Sequence, residues 1–209
     1  MIIEQIQIGG FEIFCYVLGD EKTGTGIVID PGGPAGPILN NARKRGVNRI
    51  AYIVNTHSHV DHTAGNREIQ QATSAPIAIH ELDAPDILNP NISMLAMFGA
   101  EPSPPPEVLL KDGDLLTFGN ETVKVIHTPG HTLGGICLYF PGYVITGDTL
   151  FVGGIGRTDL PGGSYETLRN SIHSKLFTLP DETIVLPGHN YGVTPTSTIG
   201  REKRENAFL

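Results

Sequence analysis

The stretch IAYIVNTHSHVDH, residues 50–62, decides the fold and the chemistry expected of this chain. Its apolar first half is typical of a short buried strand. Three histidines and one aspartate follow within six residues: His57, His59, Asp61 and His62. Placing so many strongly hydrated groups against a strand end is costly unless they share a bound cation. The stretch therefore predicts a metal site, and imidazole and carboxylate ligands suit zinc, with iron or manganese also possible.

Three later segments repeat the same order of strand, glycine- or proline-containing turn and candidate ligand. VIHTPGHTLGG (125–135) supplies His131, YVITGDTLF (143–151) supplies Asp148, and TIVLPGHNYG (183–192) supplies His189. A single histidine at a strand end is usually hydrogen-bonded and binds no metal, so the prediction of a metal site rests on all four segments taken together. Seven groups are too many for one tetrahedral ion, and they predict two metal ions that share a bridging carboxylate.

The remaining three histidines are interpreted as structural. His80 ends a strand, His127 precedes a Thr-Pro turn, and His173 lies in a predicted helix. Of the three, His127 is the one expected to support a metal ligand.

Composition excludes several classes of partner. The 209 residues carry a formal net charge of −8, and no lysine- or arginine-rich cluster stands out, which argues against nucleic acid or an anionic membrane as the partner. No apolar run is long enough to span a bilayer, and the start shows no signal peptide, so we expect a cytoplasmic protein, monomeric or homodimeric.

Cys15 and Cys137 are expected to be buried thiols, with a bridge between them left open.

Hydrophobic patterning predicts an α/β (α+β) chain with two packed sheets flanked by helices, in a single domain spanning 1–209. Strands are predicted at 2–8, 11–18, 26–30, 50–54, 77–79, 115–118, 122–127, 135–140, 143–146 and 183–186, and helices at 38–45, 64–73, 164–176 and 199–206. The pair Gly9-Gly10 predicts a hairpin between the first two strands. Residues 85–106 are interpreted as a long loop or short helix over the surface, forming either a lid or a packed irregular connection.

The motifs THSHVDH, PGHT, TGDTLF and PGH, in this order, resemble the metallo-β-lactamase superfamily, and its small glyoxalase II-like hydrolases in particular. The resemblance covers essentially the whole chain and implies a four-layered αβ/βα sandwich with the metal centre at one edge of the sheets. It also implies a division of ligands: His57, His59 and His131 hold one metal, Asp61, His62 and His189 hold the other, and Asp148 lies between them.

This resemblance implies hydrolysis of a thioester of the hydroxyacylglutathione type, or of a related activated acyl bond, by a hydroxide that bridges two Zn²⁺ ions. Asp148 and Asp61 are the expected catalytic residues. Arg157 and Tyr191, each near a ligand motif, are expected to contact the small-molecule substrate. Because only 20 residues follow His189, we expect no helical C-terminal glutathione-binding domain like that of full-length glyoxalase II.

Three alternatives remain open. Persulfide dioxygenases of the same superfamily use one iron held by the equivalents of His57, His131 and Asp148, and they share the GRTD motif of residues 156–159. The segments around Leu150-Phe151 and DLPGG favour the hydrolase. A lactonase uses the same hydroxide on an ester ring, and a non-enzymatic metal-binding scaffold is the least favoured alternative because none of the seven ligands is missing.

Overall fold

The computed structural model describes residues 1–9 and 11–209 and contains two six-stranded β-sheets. In the first sheet the strands lie in chain order, and the last four are parallel to one another. Its strands are β1 (Ile2–Ile8), β2 (Ile13–Gly19), β3 (Thr25–Ile29), β4 (Arg49–Val54), β5 (Ile77–His80) and β6 (Val108–Leu110). The predicted β1–β2 hairpin is confirmed by an antiparallel register that ends at Ile8 opposite Ile13. Gly10, half of the predicted turn, lies outside the described residues.

The second sheet has the order β14-β13-β10-β9-β8-β7, and β11 and β12 form a separate two-stranded ribbon. These elements are β7 (Leu115–Phe118), β8 (Glu121–His127), β9 (Ile136–Phe140), β10 (Tyr143–Gly147), β11 (Leu150–Phe151), β12 (Gly154–Ile155), β13 (Ile184–Pro187) and β14 (Ser197–Thr198). Strand β13 lies parallel to β10, so the loops that follow these two neighbouring strands leave the sheet at the same edge.

The part of the chain that the structure describes contains seven α-helices. They are α1 (Ala35–Lys44), α2 (Val60–Thr63), α3 (Asn66–Thr73), α4 (Ala84–Leu88), α5 (Ile92–Phe98), α6 (Tyr165–Ser174) and α7 (Ile199–Glu205). No helix in the described part of the chain combines the length and apolar character needed to cross a membrane.

Of the four hydrophobic clusters in the described residues, three separate the four layers of the fold. One lies between the sheets and includes Tyr16 and Phe118, one joins α1 and α3 to the first sheet through Ile38 and Ile69, and one joins α6 to the second sheet through Leu168. Burying such side chains stabilises a fold by roughly 1.5–3 kcal/mol each. The order helix, sheet, sheet, helix confirms the four-layered αβ/βα sandwich.

The predicted helix 64–73 begins at Asn66 as α3, because Gly65 separates it from a helical turn that precedes the predicted range. The Gly65 N–H donates to the Pro31 carbonyl (2.6 Å), and a Cβ at this position would lie 2.2 Å from the Gly33 oxygen. The backbone at Gly65 therefore packs directly against the backbone of residues 31–33. The residues before Gly65 form α2, a separate helical turn that carries two of the candidate ligands, Asp61 and His62.

The segment 85–106 contains most of α4 and all of α5, which agrees with the short-helix alternative. Helix α5 packs against α2, and Leu95 of α5 is buried. Strand β6, which follows directly, pairs in parallel with β5 and was missed because it has only three residues. Cys15 and Cys137 are both buried and both free, so no bridge joins them.

Candidate metal centre

All seven predicted ligands meet at one edge of the sandwich. Their ligand atoms form three groups, and within each group the atoms lie within 4.8 Å of one another. The first group is His57, His59 and His131; the second group is Asp61, His62 and His189; and a bridging group, His57, His62 and Asp148, lies between them. The structure thus brings all seven residues together, with Asp148 in the group that lies between the other two.

The neighbours of two histidines determine which ring nitrogen holds the proton. Nδ1 of His131 lies 2.7 Å from the Arg157 carbonyl, and Nδ1 of His189 lies 2.8 Å from the Phe11 carbonyl. A carbonyl oxygen only accepts, so each Nδ1 carries a hydrogen and each Nε2 presents a lone pair. The two lone pairs point into the cluster, as metal-ligating histidines require.

Asp30 holds a third ring in the same way. Its Oδ2 lies 3.0 Å from Nδ1 of His62 and accepts the Thr56 hydroxyl at 2.6 Å, while its Oδ1 accepts the Thr56 N–H at 2.7 Å. Sequence reasoning missed this residue. The available signal was an aspartate at a strand end, directly before the turn PGGP.

Two buried side-chain atoms in the cluster, His57 Nε2 and Asp148 Oδ1, find no hydrogen-bond partner among the residues that the structure describes. The Asp148 oxygens lie 3.3 Å from His62 Nε2, 3.4 Å from His189 Nε2 and 3.5 Å from His131 Nε2. Acceptors that converge in this way repel one another and are costly to bury. A pair of divalent cations removes that cost, so these residues fit the metals.

The electrostatics favour neutral rings at His57 and His59 beside an anionic Asp148 carboxylate. Burial lowers the pKa of His57 well below its usual value, and burial together with the His131 ring lowers the pKa of His59 to about 4. Burial opposes ionisation of Asp148, but the charge of His62 holds its pKa well below the usual range. Neutral imidazoles and an ionised carboxylate are the forms that bind metal.

Proton and metal compete at His62. Burial alone would lower its pKa, but the carboxylates of Asp148 and Asp30 outweigh burial and raise it well above the usual value. A metal-free centre therefore holds a proton at His62, and binding of a cation displaces it.

The two predicted substrate residues flank the cluster differently. The Tyr191 ring stacks on His189, with ring centres 4.6 Å apart, and Phe151 meets the Tyr191 ring edge-on. Arg157 contacts the centre through its carbonyl, whereas its exposed guanidinium pairs with the Asp159 carboxylate at 2.8 Å.

The expectation that His127 supports a metal ligand is wrong. Its ring stacks on His80 with centres 4.0 Å apart, and its Nε2 lies 2.9 Å from the Leu133 carbonyl. Asp30 supports a ligand instead. His173 lies on α6 beside Phe177, in agreement with its structural interpretation.

Comparison with known proteins agrees with this geometry. Residues 8–189 match the family model described as the metallo-beta-lactamase superfamily. The chain belongs to this superfamily. Two relatives are a probable metallo-hydrolase, YqgX of Bacillus subtilis, and the hydroxyacylglutathione hydrolase GloC of Haemophilus influenzae. YqgX is 36% identical over 93% of this chain and 90% of its own length, and GloC is 33% identical over 100% and 98%.

Solved structures of superfamily members superpose over nearly the whole chain. BLEG-1 B3 metallo-beta-lactamase has a TM-score of 0.88 at 34% identity, covering 100% of this chain and 99% of its own. TTHA1623 in a di-iron-bound form has a TM-score of 0.86 at 32% identity, covering 99% and 100%. ETHE1 from Myxococcus xanthus has a TM-score of 0.82 at 29% identity, covering 99% and 84%. The chain is thus a member of a metallo-hydrolase superfamily with a divalent-metal-binding fold.

Proposed function

We propose that this chain hydrolyses a thioester of the hydroxyacylglutathione type, or a related activated acyl bond, with two divalent cations held by the seven clustered residues. The observation that carries the proposal is the bridging group, in which Asp148 lies between two separate sets of ligands. The relative GloC, a hydroxyacylglutathione hydrolase that aligns with this chain over 98% of its own length, supports a thioester as the substrate class. Zinc is the cation that this ligand set suits best, and iron or manganese are alternatives.

When bound, the cations supply an activated water at neutral pH and polarise the carbonyl under attack. The chain's own residues orient the reactants. Asp61 lies at the open side of the second group, with its Oδ2 3.6 Å from His189 Nε2, and its side chain is 19% exposed while Asp148 is 10% exposed. Asp61 is therefore the carboxylate placed to orient an incoming water and to hold its proton.

Tyr191 and Arg157 are proposed to bind the substrate. Burial and the charges of Asp148 and Asp61 raise the pKa of Tyr191, so its phenol stays protonated and can donate a hydrogen bond to a substrate oxygen. The Arg157 guanidinium is already paired with Asp159, so a substrate carboxylate would share it with that residue. The proposed partner is a small molecule.

The second candidate is a persulfide dioxygenase with one iron held by His57, His131 and Asp148. The likeness to ETHE1 favours it. The compact second group favours the hydrolase, because a one-iron site leaves Asp61, His62 and His189 with no metal to bind. Lactone hydrolysis is a further activity that the same centre could support.

Elemental analysis and activity on one preparation test the proposal. Protein purified without added metal should contain two metal ions per chain and should cleave thioesters in a panel that includes S-lactoylglutathione. Asp148→Ala should reduce kcat/KM at least about a hundredfold and reduce the metal content. Asp181→Ala, which removes an exposed aspartate paired with Lys203, is the matched control and should change neither.

Two results would contradict the hydrolase. One is near-normal turnover and metal content in Asp148→Ala. The other is a single iron per chain with oxygen uptake on glutathione persulfide, which would establish the dioxygenase instead.

A further inference from the structure

Asp83 joins two loops that carry metal ligands. The side chain is fully buried, and its Oδ2 accepts the Ser58 N–H (3.0 Å) and the Thr132 hydroxyl (2.8 Å), while its Oδ1 accepts the Gly134 N–H (2.5 Å). Ser58 lies between His57 and His59, and Thr132 follows His131. One carboxylate thus connects both segments of the first group.

The conformation of Asp83 is not explained by its own helix. It occupies the N-cap position of α4, where an aspartate ordinarily accepts an N–H of the first helical turn, yet its side chain makes no such bond. The carboxylate is turned to the two ligand loops instead. The helix forgoes a cap, and the loops gain three hydrogen bonds.

Its charge has no counterpart among its bonded partners. Two backbone amides and one hydroxyl are neutral donors, so the carboxylate is buried without a bonded cationic side chain. Burial of an unpaired carboxylate is costly. A cation held by the first group would lie next to the loop that Asp83 binds and would offset that cost.

Gly134 makes room for the carboxylate. A Cβ on Gly134 would lie 2.6 Å from both the Asp83 backbone nitrogen and its Oδ1. Any larger residue at 134 must push Asp83 away, so the absence of a side chain and the three hydrogen bonds belong to the same arrangement.

We propose that Asp83 is a positioning residue that fixes the separation of His57 and His59 from His131, so that the first group closes on one cation. Asp83 contacts no residue of the second group in its hydrogen bonds, so its effect is confined to one of the two sites. The inference rests on the proposed two-metal centre, but it concerns metal binding and not the bond that is cleaved.

Cobalt(II) titration followed by visible absorption tests this in two backgrounds. Asp61→Ala leaves the first group intact, and His59→Ala leaves the second group intact. Adding Asp83→Asn should raise the Kd for Co²⁺ by about ten- to a hundredfold in the Asp61→Ala background. In the His59→Ala background the same substitution should change it less than about threefold.

Glu202→Gln is the matched control. Glu202 is also a buried carboxylate with three hydrogen bonds, from Gly153, Ser197 and Asn206, and none of these residues is a candidate ligand. Neutralising it should leave the cobalt Kd unchanged in both backgrounds. Equal weakening by Asp83→Asn in the two backgrounds, or no weakening in Asp61→Ala, would overturn the inference.

Gly134→Ala keeps the test decisive if Asp83→Asn does not fold. It displaces the carboxylate without removing its charge and should weaken the same site selectively. Gly36→Ala, where no atom lies within 4 Å of the added methyl, is its control. If the cobalt titrations show this dependence on Asp83 but the wild-type protein cleaves no thioester, the proposed function is wrong and the role of Asp83 stands. A chain that binds no cobalt at the first group would end both.

Discussion

Asp30 and His62 form a fully buried pair in which the carboxylate Oδ2 lies 3.0 Å from Nδ1 of the ring. The aspartate adopts a left-handed backbone conformation, with φ of 49°, at the end of strand β3. This conformation turns the side chain toward the loop after the neighbouring strand β4, where it also binds Thr56. The hydrogen bond from His62 to Asp30 orients the His62 ring, so that its Nε2 lies 3.2 Å from Nε2 of His189.

Asp30→Asn should weaken metal binding at the second group about ten- to a hundredfold and reduce kcat/KM in parallel. Asparagine tolerates the left-handed backbone, so the change removes the charge and one acceptor while keeping the turn. The measurement is a metal-content assay with steady-state kinetics on the folded variant. Asp20→Asn, which alters a buried turn aspartate bonded to Thr23 and Asn120, should leave both quantities unchanged, and equal losses in the two variants would contradict the assigned role.

Removing the metal should destabilise the protein, because the Nε2 lone pairs of His131 and His189, 3.5 Å and 3.4 Å from Asp148 Oδ2, then face that carboxylate without a cation. Metal at a hundredfold excess over its Kd should raise the free energy of unfolding by about 2.7 kcal/mol per site. For a chain of this length that corresponds to an increase in Tm of roughly 5–11 °C. Thermal unfolding followed by circular dichroism, with chelator and then with added zinc, measures it, and an unchanged Tm would count against a bound metal.

Acid should destabilise the fold through His80. Burial, together with the neighbouring His127 ring, lowers the pKa of His80 from 6.5 to about 4. As pH falls from about 6.5 to about 4, His80 binds a proton in the unfolded chain but stays neutral in the folded chain. The neutral ring therefore contributes stability that is fully present above pH 6.5 and is lost across this window. His80→Asn removes this contribution. Between pH 6.5 and 4 the free energy of unfolding of the variant should therefore fall less steeply than that of the wild type, and the two slopes should differ by up to about 1.4 kcal/mol per pH unit. Denaturant unfolding at several pH values measures both slopes, and identical slopes would show that His80 does not resist protonation.

Tyr191→Phe should raise KM about two- to tenfold with kcat unchanged, because it removes one hydrogen bond to substrate and keeps the ring stacked on His189. Steady-state kinetics on the thioester that the wild type cleaves best measures both parameters. Tyr165→Phe, which removes a hydroxyl bonded to the Phe208 carbonyl, is the control and should be silent. A fall in kcat without a change in KM would place Tyr191 in the chemistry and not in binding.

The main features of the site could be predicted from the sequence because its ligands follow apolar strands in short turns. His57, His131, Asp148 and His189 each come after such a strand, and parallel pairs such as β10–β13 bring the following loops to the same edge. The αβ/βα layering was predictable for the same reason, since the periodicity of a strand or a helix records which face is buried.

The residues that support the ligands were not predictable, because each acts across a long stretch of chain. Asp30 binds a ring 32 positions away, and Asp83 binds an amide 51 positions away. Neither lies beside a ligand in sequence, and the one local signal, Asp30 at a strand end before the turn PGGP, does not show which ring it binds. His127, which does lie beside a ligand motif, was chosen wrongly because nearness along the chain does not establish contact.

The sequence by itself determined which side chains are available for metal binding and the order in which the strands deliver them, because both are local properties of short segments. Only the tertiary structure decided which ring nitrogen faces the cations. That choice depends on the backbone carbonyls of Phe11 and Arg157, which accept hydrogen bonds whatever side chain they carry and therefore leave no trace in the sequence.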